Sequence, residues 1–243
     1  MSFPSAPEDI PYISTRQMIE VDRAMIEDVG IALIQMMENA GRALAHLARE
    51  RFLAGDPQGK RVTLMAGSGG NGGGALVCAR RLHNYGAQVT VVTSKAGAAF
   101  SPIPAYQFRI LEQMGVPLRR WPTEEQPPEL IIDGLVGYSL KGAPRGMVAE
   151  LIGWANSQPA PVLSLDIPSG VDGSAGAIHK PAVQADATLT LALPKEGLRA
   201  AGAPKLVGEL YLADISVPPS LYQAMGLPVG SLFARGDILR LHR

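Results

Sequence analysis

The sequence has little that points to disulfides, zinc ligands or a charged partner. Its single cysteine, Cys78, cannot form an internal disulfide and lies in an apolar, helix-like stretch, so we interpret it as a small buried residue. The four histidines are scattered and show no metal-ligand spacing, which argues against zinc. Lys and Arg number 22, as do Asp and Glu, so net charge gives no reason to expect nucleic acid or an anionic membrane as a partner.

Long hydrophobic runs are also absent. No apolar stretch reaches the roughly 18 residues that a membrane span needs, and the first residues lack the features of a secretory signal. We therefore expect a soluble, cytoplasmic protein. An apolar fraction of 47% with 18% charged residues predicts a globular chain. Residues 1–13 carry three prolines and two acids, and we expect them to form a loosely held arm on one domain that spans 1–243.

Two predicted helices precede an alternation of short apolar strands and helices. Ser14, three residues before Gln17, is typical of a capping box, Gly30 fits the end of the first helix, and a second helical run covers 33–53. Most later strands are apolar on both faces, which is typical of a parallel sheet covered on two sides. We therefore predict an α/β, doubly wound fold. The predicted strands cover 61–66, 87–93, 129–135, 161–167, 187–193 and 209–217, and the helices between them 73–85, 104–114 and 146–157.

Three predicted strands end in segments rich in glycine and small polar residues. These are GSGGNGGG at 67–74, DGLVGYSLKG at 133–142 and DIPSGVDG at 166–173. In open α/β sheets, ligands bind beyond the carboxyl ends of the strands. The sequence therefore predicts a site at this edge of the sheet.

The first segment places Gly67, Gly69 and Gly72 in the G-x-G-x-x-G spacing of dinucleotide sites. That motif also needs an acid at the end of the second strand, where Ser94 and Lys95 stand instead. A glycine-rich turn at the start of a helix still exposes backbone N–H groups, which predicts a phosphate or ligand contact. The alternative is a tight turn that uses glycine for positive φ and close packing.

Two acids follow buried strands, where the low dielectric shifts pKa values. Asp133 and Asp166 fit either an acid–base pair or the sharing of a hard cation with Asn71 and Ser169, since oxygens are the only ligands on offer. The alternatives are turn or cap roles for the acids and a left-handed turn position for Asn71.

Two lysines also follow predicted strands, Lys141 in YSLKGAPRG and Lys195 in ALPKEGL. A loop lysine is usually solvated, but beside a strand-end acid it is a candidate for binding phosphate or orienting that acid. Lys141 is the stronger candidate of the two because it lies near both a strand-end acid and the glycine loop.

Several motifs in order resemble the YjeF N-terminal domain family, the NAD(P)H-hydrate epimerases. The resemblance covers nearly the whole chain. It implies a Rossmann-like fold, commonly a homodimer, and epimerisation of hydrated NADH and NADPH at the ring carbon that bears the added hydroxyl. The motifs that carry it are MMENAGRALA at 36–45, GSGGNGGGAL at 67–76, DGLVGYSLKG at 133–142, LDIPSGVDG at 165–173, and the last two strand regions at 185–198 and 207–218.

The resemblance also implies roles for single residues. It implies a potassium ion bound by Asn71, Asp133 and Ser169, and substrate contacts from Asp166 and two loop segments. Reversal at one carbon needs an acid on one face and a base on the other. Asp166 is our first candidate for proton transfer and Lys141 the second, with acid and base left open. The loop segments comprise Gly70, Asn71, Gly72, Gly73 and Gly74, and Gly137, Tyr138, Ser139, Leu140, Lys141, Gly142 and Ala143.

Two positions depart from the family pattern. Gly74 stands where the family loop N-N-G-G-D-G has its acid, and Gly70 replaces the first Asn. Loss of the acid removes a hydrogen-bonding partner for the substrate. Two hypotheses follow: an epimerase with altered preference, or a non-catalytic nucleotide-binding or dimerisation module. The retained Asp133, Asp166, Lys141 and Ser169 favour the enzyme, and Gly74 favours the non-catalytic module. The apolar N-terminal helices are candidates for a dimer interface.

Overall fold

The computed structural model describes residues 3–122, 126–227 and 229–242. Within them, eight strands form one sheet. The strands are β1 Arg61–Ala66, β2 Gln88–Thr93, β3 Leu118–Arg119, β4 Leu130–Gly134, β5 Val162–Leu165, β6 Ala187–Leu191, β7 Glu209–Ala213 and β8 Ile238–Leu241. Their order across the sheet is β3-β2-β1-β4-β5-β6-β7-β8, and every neighbouring pair is parallel except β7 and β8.

The helices begin and end at local signals. The Ser14 side chain accepts a hydrogen bond from the Gln17 backbone at 3.3 Å, and the Gln17 side chain accepts one from the Ser14 backbone at 2.9 Å, which confirms the predicted capping box. No helix in the described ranges is long and apolar enough to cross a membrane. The helices are α1 Thr15–Ala24, α2 Leu33–Leu47, α3 Gly70–Asn84, α4 Pro102–Gln113, α5 Met147–Ser157, α6 Pro204–Val207 and α7 Pro219–Ala224.

The two N-terminal helices each continue into a turn of π-helix, over Met25–Val29 and Ala48–Phe52. Gly30, with φ +82°, ends the first of them, because only glycine adopts the left-handed conformation without strain. The predicted helix over 33–53 is therefore α2 followed by a wider turn.

Alternate side chains of β4 point to opposite faces of the sheet. Leu130 and Ile132 pack with residues of α2, α3 and α4, whereas Ile131 packs with residues of α5. Because strand side chains alternate with period two, the sheet is covered by helices on both faces. The predicted doubly wound α/β fold is confirmed.

Two strands were not predicted. β3 has only two residues, and β8 is a short edge strand that pairs antiparallel with β7, with Leu210 opposite Leu241. A two-residue strand has no detectable periodicity, and four residues at the end of a chain carry too few alternations to be recognised.

The N-terminal segment differs from the loosely held arm that we expected. The Ala6 backbone N–H donates to the Arg240 carbonyl at 2.9 Å, and the Arg240 N–H donates to the Pro4 carbonyl at 2.8 Å. Ile13 is fully buried and forms a bridge to Lys195. Residues 4–6 therefore pair with the edge of the sheet at β8, which protects unpaired backbone groups there, and Ile13 anchors the segment beside the residues that follow β6.

The strand order reverses between β1 and β4, since the chain builds outward from β1 to β3 and then resumes on its other side. Such a switch point opens a crevice at the carboxyl ends of the strands. The segments after β1, β4, β5 and β6 all leave the sheet at this edge.

Candidate active site

A cavity of about 370 Å³ lies at the carboxyl ends of β1, β4, β5 and β6. The segments that follow these strands form one wall. Apolar side chains from α1, its π-turn and α2, including Met18, Met36 and Met37, form another part of the lining, which we call the helix wall. The polar side chains that line the cavity are Asp22, Asn71, Tyr138, Ser139, Asp166 and Lys195.

The central feature of the strand wall is an ion pair between Asp166 and Lys195. The Lys195 ammonium donates to Asp166 Oδ1 at 2.5 Å and to the Leu191 carbonyl at 2.8 Å. The two side chains are 3% and 0% exposed. Asp166 Oδ2 accepts a hydrogen bond from the Tyr138 backbone N–H at 3.1 Å. A charged pair withdrawn from water needs such additional partners, because desolvation opposes its formation.

Asp166 also has an uncommon backbone conformation. Its φ is +66°, in the left-handed region that side chains other than Gly, Asn and Asp rarely adopt. This backbone conformation costs on the order of 1 kcal/mol of folding free energy, and it persists only where contacts with the surrounding structure hold it. Here the carboxylate of the residue in this turn accepts a hydrogen bond from the ammonium of Lys195.

The glycine loop is built by close backbone approach. A Cβ at Gly67 would lie 1.9 Å from the Leu135 carbonyl oxygen, and one at Gly72 would lie 1.8 Å from the Gly67 oxygen. By contrast, nothing lies within 4 Å of a Cβ at Gly69 or Gly70. None of these four residues has positive φ. Close packing therefore explains Gly67 and Gly72, while Gly69 and Gly70 leave the start of α3 open.

The position of the family's loop acid is occupied by a neighbouring side chain. A Cβ at Gly74 would lie 2.8 Å from Leu165 Cδ2, and one at Gly73 would lie 2.4 Å from Met37 Sδ. The side chains of Leu165 and Met37 therefore occupy the space that a Cβ atom at Gly74 or Gly73 would need. The departure at Gly74 is thus matched by the packing around it.

Asp133 and Ser169 form a buried hub beside the cavity. Asp133 Oδ1 accepts from the Ser169 hydroxyl at 2.6 Å and the Leu135 N–H at 3.1 Å, and Oδ2 accepts from the Ser164 hydroxyl and the Ser169 N–H, both at 2.9 Å. Burial raises the pKa of Asp133, and the bonds from Ser169, Leu135 and Ser164 oppose that shift. The hub ties the loops after β4 and β5 together.

Asn71 approaches this region from the first turn of α3. Its Oδ1 would lie 3.1 Å from a Cβ at Gly137, and its buried Nδ2 has no hydrogen-bond partner among the described residues. An unpartnered amide is unusual, since buried polar groups normally find a partner. Together with the hub it supplies amide, carboxylate and hydroxyl oxygens, the donor set that hard cations prefer.

Only part of the second predicted substrate segment reaches the cavity. Gly137, Tyr138 and Ser139 line it. Lys141, Gly142 and Ala143 are exposed and Leu140 is half-buried, and these four are not among the lining residues. In the glycine loop, Gly70, Asn71 and Gly74 line the cavity, whereas Gly72 and Gly73 are buried behind it. The ammonium that reaches Asp166 belongs to Lys195, the weaker of the two lysine candidates.

Asp22 is the polar side chain of the cavity that the sequence did not suggest. It lies on α1, and its Oδ2 accepts a short hydrogen bond from the Tyr138 hydroxyl. Burial raises the pKa of Asp22, and the bond from Tyr138 opposes that shift. A signal was available: Asp22 stands four residues after Met18 and three before Met25, both buried, so helical spacing turns an acid toward the interior.

Comparison with known proteins assigns the family. Residues 33–197 match the family described as YjeF-related protein N-terminus. The chain belongs to this family. Over 234 residues it is 41% identical to the NAD(P)H-hydrate epimerase of Dehalogenimonas lykanthroporepellens, covering 96% of this chain and 93% of that one. It is 33% identical over 221 residues to the NAD(P)H-hydrate epimerase of Rhodopirellula baltica, covering 87% of each.

A solved structure supports the same assignment. A crystal structure of the yeast protein YNL200c matches with a TM-score of 0.80 at 25% sequence identity, covering 96% of this chain and 100% of that one. The predicted YjeF resemblance is therefore confirmed. The YjeF-related match extends from the start of α2 to the residues just after Lys195, so it includes the strand wall of the cavity but not α1 and Asp22.

Proposed function

We propose that this YjeF-related protein is an NAD(P)H-hydrate epimerase. Such an enzyme interconverts the two epimers of hydrated NADH and NADPH at the ring carbon that carries the added hydroxyl. The observation that carries the proposal is the buried pair of Asp166 and Lys195, which faces a cavity shared with the glycine loop. Epimerase relatives that align over nearly the full length of this chain support it.

The reaction requires an acid and a base that are held in position beside the reacting carbon. The ring nitrogen lone pair expels the neighbouring hydroxyl when an acid protonates it, and water then adds to the other face when a base takes its proton. Asp166 is the group of the strand wall that exchanges this proton. Lys195 is the positioning residue that holds the carboxylate, because its ammonium binds Oδ1 at 2.5 Å.

Binding of the rest of the substrate falls to the loop and the helix wall. Gly69 and Gly70 leave the first turn of α3 open, and the N–H groups there attract the diphosphate of a dinucleotide. Met36 and Met37 of α2 provide an apolar surface for a planar ring. When the hydroxyl leaves, the ring becomes planar and cationic. Because this wall keeps bulk water away, only water molecules inside the site can add back to the ring.

We also propose that potassium binds at Asn71, Asp133 and Ser169. All three side chains carry oxygen, the ligand atom that hard cations prefer, and Asn71 would contribute its carbonyl oxygen Oδ1. The oxygens of Asn71, Asp133 and Ser169 would hold the ion, and the ion would supply positive charge near a phosphorylated substrate. Thermal unfolding in KCl, compared with choline chloride, tests this: potassium should raise the Tm of wild type and have no such effect on Ser169→Ala.

The assembly state and location complete the proposal. Exposed Ile19, Ile26, Val29 and Leu33 form an apolar surface on the N-terminal helices, which supports a homodimer through this face. Sedimentation analysis of wild type and Ile19→Asp tests it, since an introduced charge there should give monomers. A cytoplasmic location is consistent with one buried free thiol, and cell fractionation tests it.

An assay with a mixture of the two hydrate epimers tests the function. An epimer-specific dehydratase removes one epimer, and this protein is then added with potassium. Wild type should accelerate consumption of the second epimer above its spontaneous rate, and no acceleration would refute the epimerase. Asp166→Asn should abolish the acceleration, whereas Asp56→Asn, an exposed turn acid, should leave it unchanged. A non-catalytic module would show no acceleration with any variant.

A further inference from the structure

Tyr138 connects two carboxyl groups of the cavity. Its backbone N–H donates to Asp166 Oδ2 at 3.1 Å, and its hydroxyl donates to Asp22 Oδ2. Asp166 belongs to the strand wall, and Asp22 comes from α1 on the helix wall. One tyrosine therefore links the two acids, through its backbone N–H to Asp166 and through its hydroxyl to Asp22, and both acids line the cavity.

The surroundings of Asp22 suit a group that takes up and releases a proton. It is half-buried, and burial raises its pKa, while the bond from Tyr138 and the charge of Lys195 oppose the shift. The titratable groups that face it are Tyr138 after β4, Asp166 after β5, Lys195 after β6 and Tyr222 on α7. A carboxyl with a raised pKa is a better proton donor near neutral pH than an exposed one.

We propose that Asp22 is the second catalytic residue of the epimerase, acting on the ring face opposite to Asp166, with Tyr138 as its positioning residue. This inference rests on the proposed function. The Tyr138 hydroxyl fixes Oδ2, so proton transfer is assigned to Oδ1 of Asp22.

The step balances without any further reactant. In one direction protonated Asp22 gives its proton to the departing hydroxyl, and the ring nitrogen lone pair breaks the carbon–oxygen bond to form water and a cationic ring. Water then adds to the other face, its oxygen forming the new bond, and its second proton passes to Asp166. The reverse direction exchanges the two roles, and protons equilibrate with solvent between turnovers.

A related geometric problem occurs in inverting glycosidases. There an acid and a base, separated by roughly 6.5–9.5 Å, flank the carbon at which water replaces an oxygen. Here Tyr138 links the two carboxyl groups through its backbone N–H and its hydroxyl, and so fixes their positions relative to each other. The proposal thereby gives a role to the acid that α1, which lies ahead of the family match, contributes to the cavity.

Steady-state kinetics of wild type and Asp22→Asn tests the assignment. Loss of a general acid–base group typically costs 10²–10⁴-fold, so kcat should fall at least 100-fold with KM within about threefold. The matched control is Asp28→Asn, an exposed acid of the same helical segment that pairs with Arg23, which should retain wild-type kcat. Thermal unfolding and circular dichroism establish that each variant is folded.

Two further readouts separate catalysis from a structural role. Formate should restore activity to Asp22→Ala in proportion to the formate concentration. In Asp22→Asn, the fall in kcat on one side of the pH optimum should disappear. Tyr138→Phe should lose less kcat than Asp22→Asn does, and the pH at which kcat falls on that side should shift. Wild-type kcat in folded Asp22→Asn, or failure of formate rescue with an unchanged pH profile, overturns this inference alone. Absence of epimerisation by wild type overturns the proposed function and the inference together.

Discussion

The Lys195 ammonium lies 2.5 Å from Asp166 Oδ1, and both side chains are almost completely buried. The two residues are 29 positions apart in the chain. They meet because β5 and β6 are parallel neighbours whose following segments leave the sheet at the same edge. A carboxylate held this way keeps a fixed orientation and a fixed partner, which is what proton transfer in a cavity requires.

Replacement of Lys195 should damage both activity and stability. Lys195→Met leaves the Asp166 carboxylate buried without its ammonium, so we expect at least a 100-fold loss in kcat and a destabilisation of about 3 kcal/mol. Epimerase kinetics and denaturant unfolding measure the two effects. Lys205→Met, at an exposed site far from the cavity, is the control. A larger loss of kcat in Lys141→Met than in Lys195→Met would show that the lysine of the loop is the functional one.

Gly137 should tolerate no side chain. A Cβ there would lie 3.0 Å from Asp166 Oδ2 and 3.1 Å from Asn71 Oδ1, so Gly137→Ala displaces polar groups from both sides of the site. We expect kcat/KM to fall 10-fold or more, with a loss of stability of about 1–2 kcal/mol. The control is Gly153→Ala in α5, where a Cβ meets open space. It should stabilise the protein by about 1 kcal/mol and leave kcat/KM unchanged.

Restoring the family's loop acid should be harmful by itself. Gly74→Asp places a Cβ 2.8 Å from Leu165 Cδ2, so we expect a destabilisation of about 1–3 kcal/mol from overpacking. Leu165→Val removes the contacting atom. A double-mutant cycle should therefore show favourable coupling of about 0.5 kcal/mol or more between the two changes. Additive effects would mean that Leu165 is not what excludes the acid.

The pair of Arg51 and Glu209 should make stability depend on pH. Hydrogen bonding from Arg51 is the main cause that lowers the pKa of Glu209 to about 2. A depressed carboxyl pKa adds stability above the unfolded-state value, here 4.5, and that stability is lost as pH falls toward 2. The side chains are 45% and 30% exposed, so screening limits the gain to about 1 kcal/mol.

Glu209→Gln should accordingly be less stable than wild type at pH 7 and indistinguishable from it near pH 2. Urea unfolding at a series of pH values measures the difference. Tyr211, whose hydroxyl also bonds to Glu209, remains present in both proteins. A difference that persists unchanged at pH 2 would exclude the ionised carboxyl as its cause.

The sequence by itself determined the architecture and the edge of the sheet at which the cavity lies. Runs such as that of β4, apolar on both faces and ending in Asp133, predict buried parallel strands, and the glycine-rich segments after β1, β4 and β5 predict the ligand edge. These signals are local: they depend on periodicity and on residues that follow directly in the chain. The capping box at Ser14 and the bounds of β1 were predicted for the same reason.

Only the tertiary structure decided which side chains share the cavity. Tyr138 and Asp22 are 116 positions apart, and their contact depends on where α1 packs against the strand ends. The choice of Lys195 for Asp166 depends on the left-handed turn at Asp166 and on the neighbouring position of β6. The space that Leu165 fills at Gly74 is likewise a product of packing between α3 and β5. Pairings of this kind follow from strand order and loop paths, which no local pattern encodes.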